Sequence, residues 1–133
     1  MNIQHVPLEW VPRTWPLIAP HIKAALEHTE DYTLDEVRTL VATGQWLLLI
    51  AAEGETIHGA ATVQLFNRPS QRVAFITAIG GRLVSSHATF DQLKRLLAAF
   101  GATHIEGAAR ESIARLWSRY GFEEKHRIVG VKL

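Results

Sequence analysis

The sequence predicts a single α/β domain in which a mixed central β-sheet is flanked by helices on both faces. Apolar residues recur at helical spacing in four segments, and continuous apolar runs such as residues 46–52 separate them. Runs of that kind are typical of strands buried on both faces. No linker, repeat or low-complexity stretch divides the 133 residues, a length that fits one domain. The predicted order over residues 1–133 is β-α-α-β-β-β-α-β-α-β.

The first third of the chain predicts one strand and two helices. Residues 2–6 have a weak strand pattern. Thr14 is placed to cap the next helix, with Pro16 in its first turn, where a missing N–H is tolerated. The sequence TLDE at 33–36 is a capping box that begins a second helix, and Gly44 ends it. The first helix presents a stripe of apolar residues to the core: Trp15, Ile18, Ile22 and Leu26.

The rest of the chain predicts five strands and two helices. In chain order they are a hairpin over 46–66 that turns at Glu53 and Gly54, a strand over 71–79, a helix over 86–100, a strand over 103–108, a helix over 110–120 and a last strand over 126–133. Gly121 follows the last helix because a residue past a helix end often adopts left-handed backbone, which suits glycine. The inward faces of these two helices predict six core residues: Phe90, Leu93, Leu97, Ile113, Leu116 and Trp117.

Composition excludes several classes of function. The formal net charge is +1, so no whole-molecule field would attract nucleic acid or a membrane surface. The chain has no cysteine, which excludes disulfides and thiolate chemistry and fits a reducing compartment. Its seven histidines are scattered, and His21 and His28 lack a third ligand, so we expect no metal. The N-terminus does not resemble a signal peptide, and the run at 46–52 is too short to span a bilayer.

The element order, the stretch GATHIEG and the stretch ARLWSRYGFEE together resemble the GNAT superfamily of N-acetyltransferases over nearly the whole chain. Leu116, Gly121 and Phe122 match the spacing of that family's last helix. The family tyrosine that donates a proton to the departing thiolate aligns with Trp117, whose indole N–H cannot replace a phenol. The family asparagine aligns with Arg110. The resemblance implies a GNAT-like fold, acetyl-CoA as cofactor and direct attack of an amine on the thioester.

The phosphate-binding loop departs from the family pattern. Family members carry R/Q-x-x-G-x-G/A, whose amides hold the pyrophosphate of coenzyme A at a helix N-terminus. Here the stretch is IGGRLVSSHATF, in which Gly80 and Gly81 come directly after the strand and no G-x-G opens the helix. We therefore expect acetyl-CoA to bind weakly or not at all. The residues that remain as cofactor candidates are Thr77, Ala78 and Ile79 for the acetyl carbonyl, and Arg82, Ser85, Ser86, His87 and Arg110 for phosphate.

Each candidate also has a plain structural interpretation. Ser86 can simply cap the helix, and Arg82 can be a solvated loop residue. Arg110 can belong, with Arg115 and Arg119, to a solvated helix face or to a basic strip that binds phosphates or an acidic partner.

Four titratable residues are weak candidates for catalysis. His58, His104 and Glu106 lie on predicted strands near the sheet centre, where a general base would be needed. A lone histidine on a strand is more often structural. Tyr120 lies one turn past Trp117, so it either donates a proton or packs with its hydroxyl at the rim.

A narrower resemblance is carried by TWPLIAPHIKAALEH, IGG, GATHIEGAAR and the GF…VKL ending. These stretches are similar to a divergent set of acetyltransferase-like proteins encoded by tailed phages and prophages. That resemblance implies an accessory or virion-associated role with weak or no catalysis. It also implies a protein partner, such as a phage structural protein, and a location in the bacterial host cytoplasm or on the virion. The alternative is an acetyl-CoA-dependent N-acetyltransferase acting on an amine of a small molecule or protein. Dimerisation stays open.

Overall fold

A computed structural model describes all 133 residues and contains one five-stranded sheet. The strands are β1 (Asn2–His5), β2 (Trp46–Glu53), β3 (Thr56–Arg68), β4 (Gln71–Gly81) and β5 (His104–Gly107). They lie side by side in chain order. The first four pair antiparallel, while β5 runs parallel to β4. A parallel neighbour requires a crossover, which is the helix between β4 and β5. The predicted mixed sheet is confirmed.

Four helices cover the two faces of the sheet. They are α1 (Val11–Leu26), α2 (Leu34–Ala42), α3 (His87–Ala99) and α4 (Glu111–Trp117), and short 3₁₀ turns occupy Leu8–Trp10 and Ser118–Tyr120. One core lies between the sheet and the α1–α2 pair, and a second lies beneath α3 and α4. No helix combines the length and apolar character needed to cross a bilayer. A mixed sheet with helices on both faces is the fold class predicted from the sequence, and the structure confirms it.

The first helix begins earlier than predicted. It starts at Val11, with Trp10 in the N-cap position, rather than after Thr14. Pro12 occupies the first turn, while Pro16 and Pro20 lie inside the helix. The inward stripe is nevertheless correct, because Trp15, Ile18, Ile22 and Leu26 are all buried. Packing of that stripe outweighs the backbone hydrogen bonds that the two interior prolines cannot donate.

Helix capping was predictable where it uses local side chains. Thr33 accepts a hydrogen bond from the Glu36 amide, and the Glu36 carboxylate accepts one from the Thr33 amide, which is the predicted capping box. Gly121 follows the last turn with φ of 92°, the left-handed backbone expected of it. On α3, the predicted core residues Phe90, Leu93 and Leu97 are buried.

Two predictions about the C-terminal region are wrong. Leu116 is 42% exposed, because α4 turns Trp117 towards the sheet and leaves its neighbour outside. Ile113 and Trp117 are only half-buried. The last strand predicted over 126–133 does not form, and no helix or strand follows Tyr120. A strand needs a partner for its backbone, so its sequence pattern alone does not create one.

Candidate functional site

Strand β5 pairs with only the first half of β4. Their pairing ends at Ile76 and Gly107, and β4 then continues to Gly81 bonded only to β3. At the same point the pairing of β4 with β3 shifts by one residue, because Val63 pairs with Ile76 and Thr62 pairs with Ala78. Irregularities of this kind bend the bulged strand and re-aim its side chains. The edge of β4 from Thr77 to Gly81 is therefore unpaired on the β5 side, and the space beside this edge is called the opening below.

Thr77, Ala78 and Ile79 lie on this unpaired edge, as the candidate carbonyl-binding segment requires. Their side chains do not converge on the opening, since Ala78 packs in the α1–α2 core and Ile79 packs beside α3. The Thr77 hydroxyl donates to the Thr62 carbonyl at 3.0 Å and lies 2.8 Å from the Thr62 hydroxyl. Because the single proton of the Thr77 hydroxyl is donated to that carbonyl, the Thr62 hydroxyl is the donor in the bond between the two hydroxyls. The polar groups that this segment could offer to a ligand are therefore those of its backbone.

Aromatic side chains fill the crevice between the opening, α3 and α4. Phe122 lies 5.3 Å from Trp117 and 5.6 Å from Phe90, measured between ring centroids, and Tyr120 lies 5.1 Å from Phe90. The space left among them is about 10 Å³, close to the least that holds a single water. It is lined only by apolar and aromatic residues: Ile76, Ile79, Val84, Phe90, Leu93, Trp117, Tyr120 and Phe122.

Several polar groups of the loop before α3 form hydrogen bonds within the loop and the first turn of the helix. Ser86 is the N-cap of α3, and its side chain accepts a hydrogen bond from the Thr89 amide. The amides of Ser85 and Ser86 both donate to the Thr89 hydroxyl, at 3.0 and 3.1 Å. The amides of Leu83, Val84, His87 and Ala88 have no hydrogen-bond partner within the chain. Four free amides are therefore available beside this helix N-terminus, although no G-x-G turn arranges them.

Arg82 and His87 are the exposed side chains beside those amides. The Arg82 amide donates to the His58 carbonyl at 2.8 Å, and its guanidinium makes no hydrogen bond or ion pair. The His87 ring packs edge-on against Tyr120, with 5.1 Å between centroids. Tyr120 therefore lies at the rim of the crevice, half-buried between His87 and Phe90. Its hydroxyl has no hydrogen-bond partner in the chain.

The two adjacent glycines at the end of β4 serve packing. A Cβ on Gly80 would overlap the carbonyl oxygen of His21, so the absence of a side chain lets α1 lie directly on the strand. Gly81 has φ of 67°, and a Cβ there would lie 2.7 Å from the His21 ring nitrogen Nδ1. This close approach explains why these glycines come before the loop rather than within it.

Arg110 joins the start of α4 to the end of α1. It precedes α4, and its Nη1 lies 3.3 Å from Nδ1 of His28 just beyond α1. Arg115 pairs with Glu111 on the exposed face of α4, with 3.2 Å between nitrogen and oxygen. Arg119 is exposed as well. The three arginines therefore have different surroundings, and of the three only Arg110 contacts a residue outside the α4 region.

The candidate bases are dispersed. His58 lies on β3 next to the end of β4, and its Nε2 is 3.7 Å from Glu53. His104 begins β5 at the opposite end of the β4–β5 pair, where its Nδ1 is 2.7 Å from the Thr103 hydroxyl. His58 is therefore on the β3 side of β4, away from its unpaired edge, and His104 is at the far end of the β4–β5 pair.

Glu106 is fixed in an ion-pair cluster. Its side chain is 11% exposed and accepts two hydrogen bonds from Arg68, at 2.5 and 2.9 Å, and one from Lys125 at 3.1 Å. The Arg68 guanidinium, with Lys125, lowers the pKa of Glu106 to about 2. A carboxylate held so strongly in its charged form is a poor proton acceptor near neutral pH. Arg68 and Lys125 were not singled out from the sequence, because only the fold brings them to Glu106.

Some groups around the opening are engaged and others are free. Aromatic side chains occupy the crevice, and the Ser85 and Ser86 amides are bonded to Thr89. The groups left for a phosphate are the free loop amides and the Arg82 guanidinium. No three His, Asp or Glu side chains converge to hold a metal ion. Phe90 and Phe122, which close the crevice with Trp117, were read from the sequence only as packing or motif residues. The sequence feature that could have indicated this role is the group of aromatic residues in α3 and in the stretch from Trp117 to Phe122.

The sequence matches no protein-family model and no curated protein. Solved structures share the fold over nearly the full chain. A probable acetyltransferase is 14% identical with a TM-score of 0.70, covering 100% of this chain and 97% of its own. An aminoglycoside acetyltransferase from an uncultured soil metagenomic sample, in complex with sisomicin, is 12% identical with a TM-score of 0.71, covering 99% and 95%. A predicted acetyltransferase from Clostridium acetobutylicum, with acetyl-CoA, is 15% identical with a TM-score of 0.67, covering 98% and 95%. The chain therefore has the fold of the GNAT acetyltransferases.

Proposed function

We propose that this chain is a GNAT-fold protein with weak or no acetyl transfer, acting through contacts with another protein. The observation that carries the proposal is the filled crevice beside the β4–β5 opening, where Trp117, Tyr120 and Phe122 pack against α3. A long, flexible thioester could enter only if these rings moved apart and gave up their mutual contacts. Function is set by the site rather than the scaffold, so the shared fold does not outweigh this packing.

An active N-acetyltransferase is the second candidate. Three features favour it: the end of β4–β5 pairing after Ile76, the four free amides of the loop before α3, and the unpaired guanidinium of Arg82. The structural neighbour with acetyl-CoA and the one with sisomicin suggest the cofactor and an amine-bearing small molecule as acceptor. A protein amine is the other acceptor class that the sequence resemblance implies.

Coenzyme A release separates the two candidates. The protein is incubated with acetyl-CoA and a panel of amines (sisomicin, spermidine and a lysine-containing peptide), and free thiol is followed with a chromogenic disulfide. An established aminoglycoside acetyltransferase is the positive control. We expect no release above the background hydrolysis for any amine. Amine-dependent release that Tyr120→Phe or Arg82→Ala reduces would contradict the proposal and establish the enzyme.

The phage or prophage setting rests on the sequence resemblance of the N-terminal helix, IGG and GATHIEGAAR stretches. We propose a structural protein of the virion as the partner and the host cytoplasm or the virion as the location. The neighbouring genes test this cheaply. A run of capsid or tail genes supports the proposal, whereas a metabolic operon contradicts it.

A further inference from the structure

A second cavity lies at the edge of the sheet, beside β1 and β2. Its volume is about 160 Å³, compared with about 10 Å³ in the aromatic crevice. Val6 follows β1, Val41 lies in α2 and Trp46 begins β2, and all three line this cavity. In the strand order β1-β2-β3-β4-β5, the opening is on the β5 side of β4. The cavity is therefore distinct from both the opening and the crevice.

The wall of this cavity is mostly apolar and buried. Its residues Val6, Val11, Val41 and Leu48 are each less than one-tenth exposed. Protein interiors contain few voids larger than a water molecule, so a space of this size against the core is unusual. An apolar wall offers water few of the hydrogen bonds that it needs, and a dry apolar cavity of about 150 Å³ binds benzene. The volume and the wall therefore suit one aromatic ring.

Two side chains with polar atoms also line the cavity. They are His5 and Trp46, and neither ring makes a hydrogen bond within the chain. Trp46 is 6% exposed, and no fully enclosed side-chain nitrogen of the chain lacks a partner, so its indole N–H borders accessible space. Burial lowers the pKa of His5 below its ordinary value of 6.5, so this imidazole is neutral at pH 7. A neutral imidazole offers one acceptor nitrogen, and the indole N–H is a donor.

Leu8 forms the side of the cavity that faces solvent. It lines the cavity and is nevertheless 52% exposed. It rests on Gly44, where a Cβ would come within 3.0 Å of Cδ1 of Leu8. The 3₁₀ turn that carries Leu8 has no side-chain cap. Because exposed side chains change rotamer within nanoseconds, a small molecule can enter past Leu8 without unfolding of the core.

We propose that the cavity beside β1, β2 and α2 binds a small monocyclic phenol. One ring matches the volume of about 160 Å³, whereas pockets for drug-sized ligands have about 300–1,000 Å³. The apolar wall covers the ring, and a phenol hydroxyl both donates and accepts, as His5 and Trp46 require. The site shares no residue with the aromatic crevice, so it does not depend on whether the chain transfers an acetyl group.

Titration of the full chain with phenol, followed by nuclear magnetic resonance, tests the proposal. The backbone amide signals of Val6, Gly44 and Leu48 should shift and saturate with a dissociation constant below about 1 mM. The amide of Ala88, beside the opening, should stay in place. His5→Leu should weaken phenol by about fivefold and leave toluene, which has no hydroxyl, unchanged. No saturable shift up to about 5 mM phenol, or equal effects of His5→Leu on both ligands, overturns the proposal.

Variants that fill the cavity locate the bound phenol. Val6→Phe places a ring in the space and should weaken phenol by about tenfold or more, with folding checked by a thermal melt. Where Val6→Phe does not fold, Leu8→Phe gives the same test from the exposed side. Leu17→Phe, at an exposed position of α1 outside the cavity, should leave the affinity unchanged. Phenol that binds a folded filled variant as tightly as the wild type overturns the proposal.

Discussion

The indole of Trp117 lies directly on the backbone of Gly107 at the point where β5 leaves β4. A Cβ at Gly107 would be 3.0 Å from Cζ3 of Trp117 and 3.6 Å from Cβ of Ile76, so the glycine makes room for the ring. The ring in turn supports Phe122 across the crevice. This contact occupies the place where the parted strands would otherwise be open.

Replacing Trp117 with alanine should destabilise the fold without weakening whatever acetyl-CoA binding exists. Replacing a fully buried tryptophan with alanine lowers the free energy of unfolding by about 3–5 kcal/mol. Because Trp117 is only half-buried, we expect a loss of about 2–4 kcal/mol, measured by urea unfolding. Calorimetry of the folded variant should show acetyl-CoA affinity at or above that of the wild type, because a filler has been removed. A tenfold loss of affinity would mean that Trp117 contacts the cofactor.

The core beneath α3 gives a direct test of the packing. Leu97 is completely buried, and Leu97→Ala should reduce the free energy of unfolding by about 2–5 kcal/mol. Leu17→Ala is the matched control, since Leu17 is 64% exposed on α1 and should change stability by less than about 0.5 kcal/mol. Equal effects of the two substitutions would show that the buried face of α3 is misassigned.

Gly80→Ala should destabilise the domain because the new methyl group meets the His21 carbonyl. Relieving that overlap requires α1 to move off β4, and overpacking of this kind costs about 1–3 kcal/mol or more. Gly130→Ala, where nothing lies within 4 Å, is the comparison and should be near neutral. Thermal melts that do not distinguish the two variants would argue against close packing of α1 on the strand.

Stability should fall in acid as Glu106 takes up a proton. Its folded pKa of about 2 is below the ordinary value of 4.5, so the contribution is fully present above about pH 4.5 and is lost as the pH falls towards 2. The difference in urea midpoint between wild type and Glu106→Gln should therefore be large at pH 6 and small near pH 2. Glu111→Gln breaks an exposed pair and should differ little from wild type throughout. A difference for Glu106→Gln that does not change with pH would contradict the cluster.

The sequence predicted the parts of the fold that local chemistry determines. The Thr33–Glu36 capping box, the buried stripe of α3 and the left-handed Gly121 each depend on residues a few positions apart. The start of α1 was missed because Val11 and Pro12 begin it without a side-chain cap. The last strand was predicted from alternation alone, and no neighbour is present within the chain to hold it.

The candidate site was harder to predict because it depends on distant contacts. Ser86 was correctly recognised as a possible cap, and that is the role it has. Nothing in the spacing of Glu106 shows that Arg68 and Lys125 meet it. The closing of the crevice by Phe90, Trp117 and Phe122 likewise follows from how α3 and α4 approach each other. Helix approach is set by tertiary packing, which the order of elements does not specify.

Calorimetric titration of the full chain with acetyl-CoA tests the filled-crevice proposal most directly. Arg82 is the free cation beside the four unpartnered loop amides, and a charge-assisted hydrogen bond contributes about 1.5–3 kcal/mol. We expect a dissociation constant in the high-micromolar range or no binding, with any residual binding lost in Arg82→Ala. A dissociation constant in the low-micromolar range that Arg82→Ala leaves unchanged would contradict the proposal and favour the acetyltransferase.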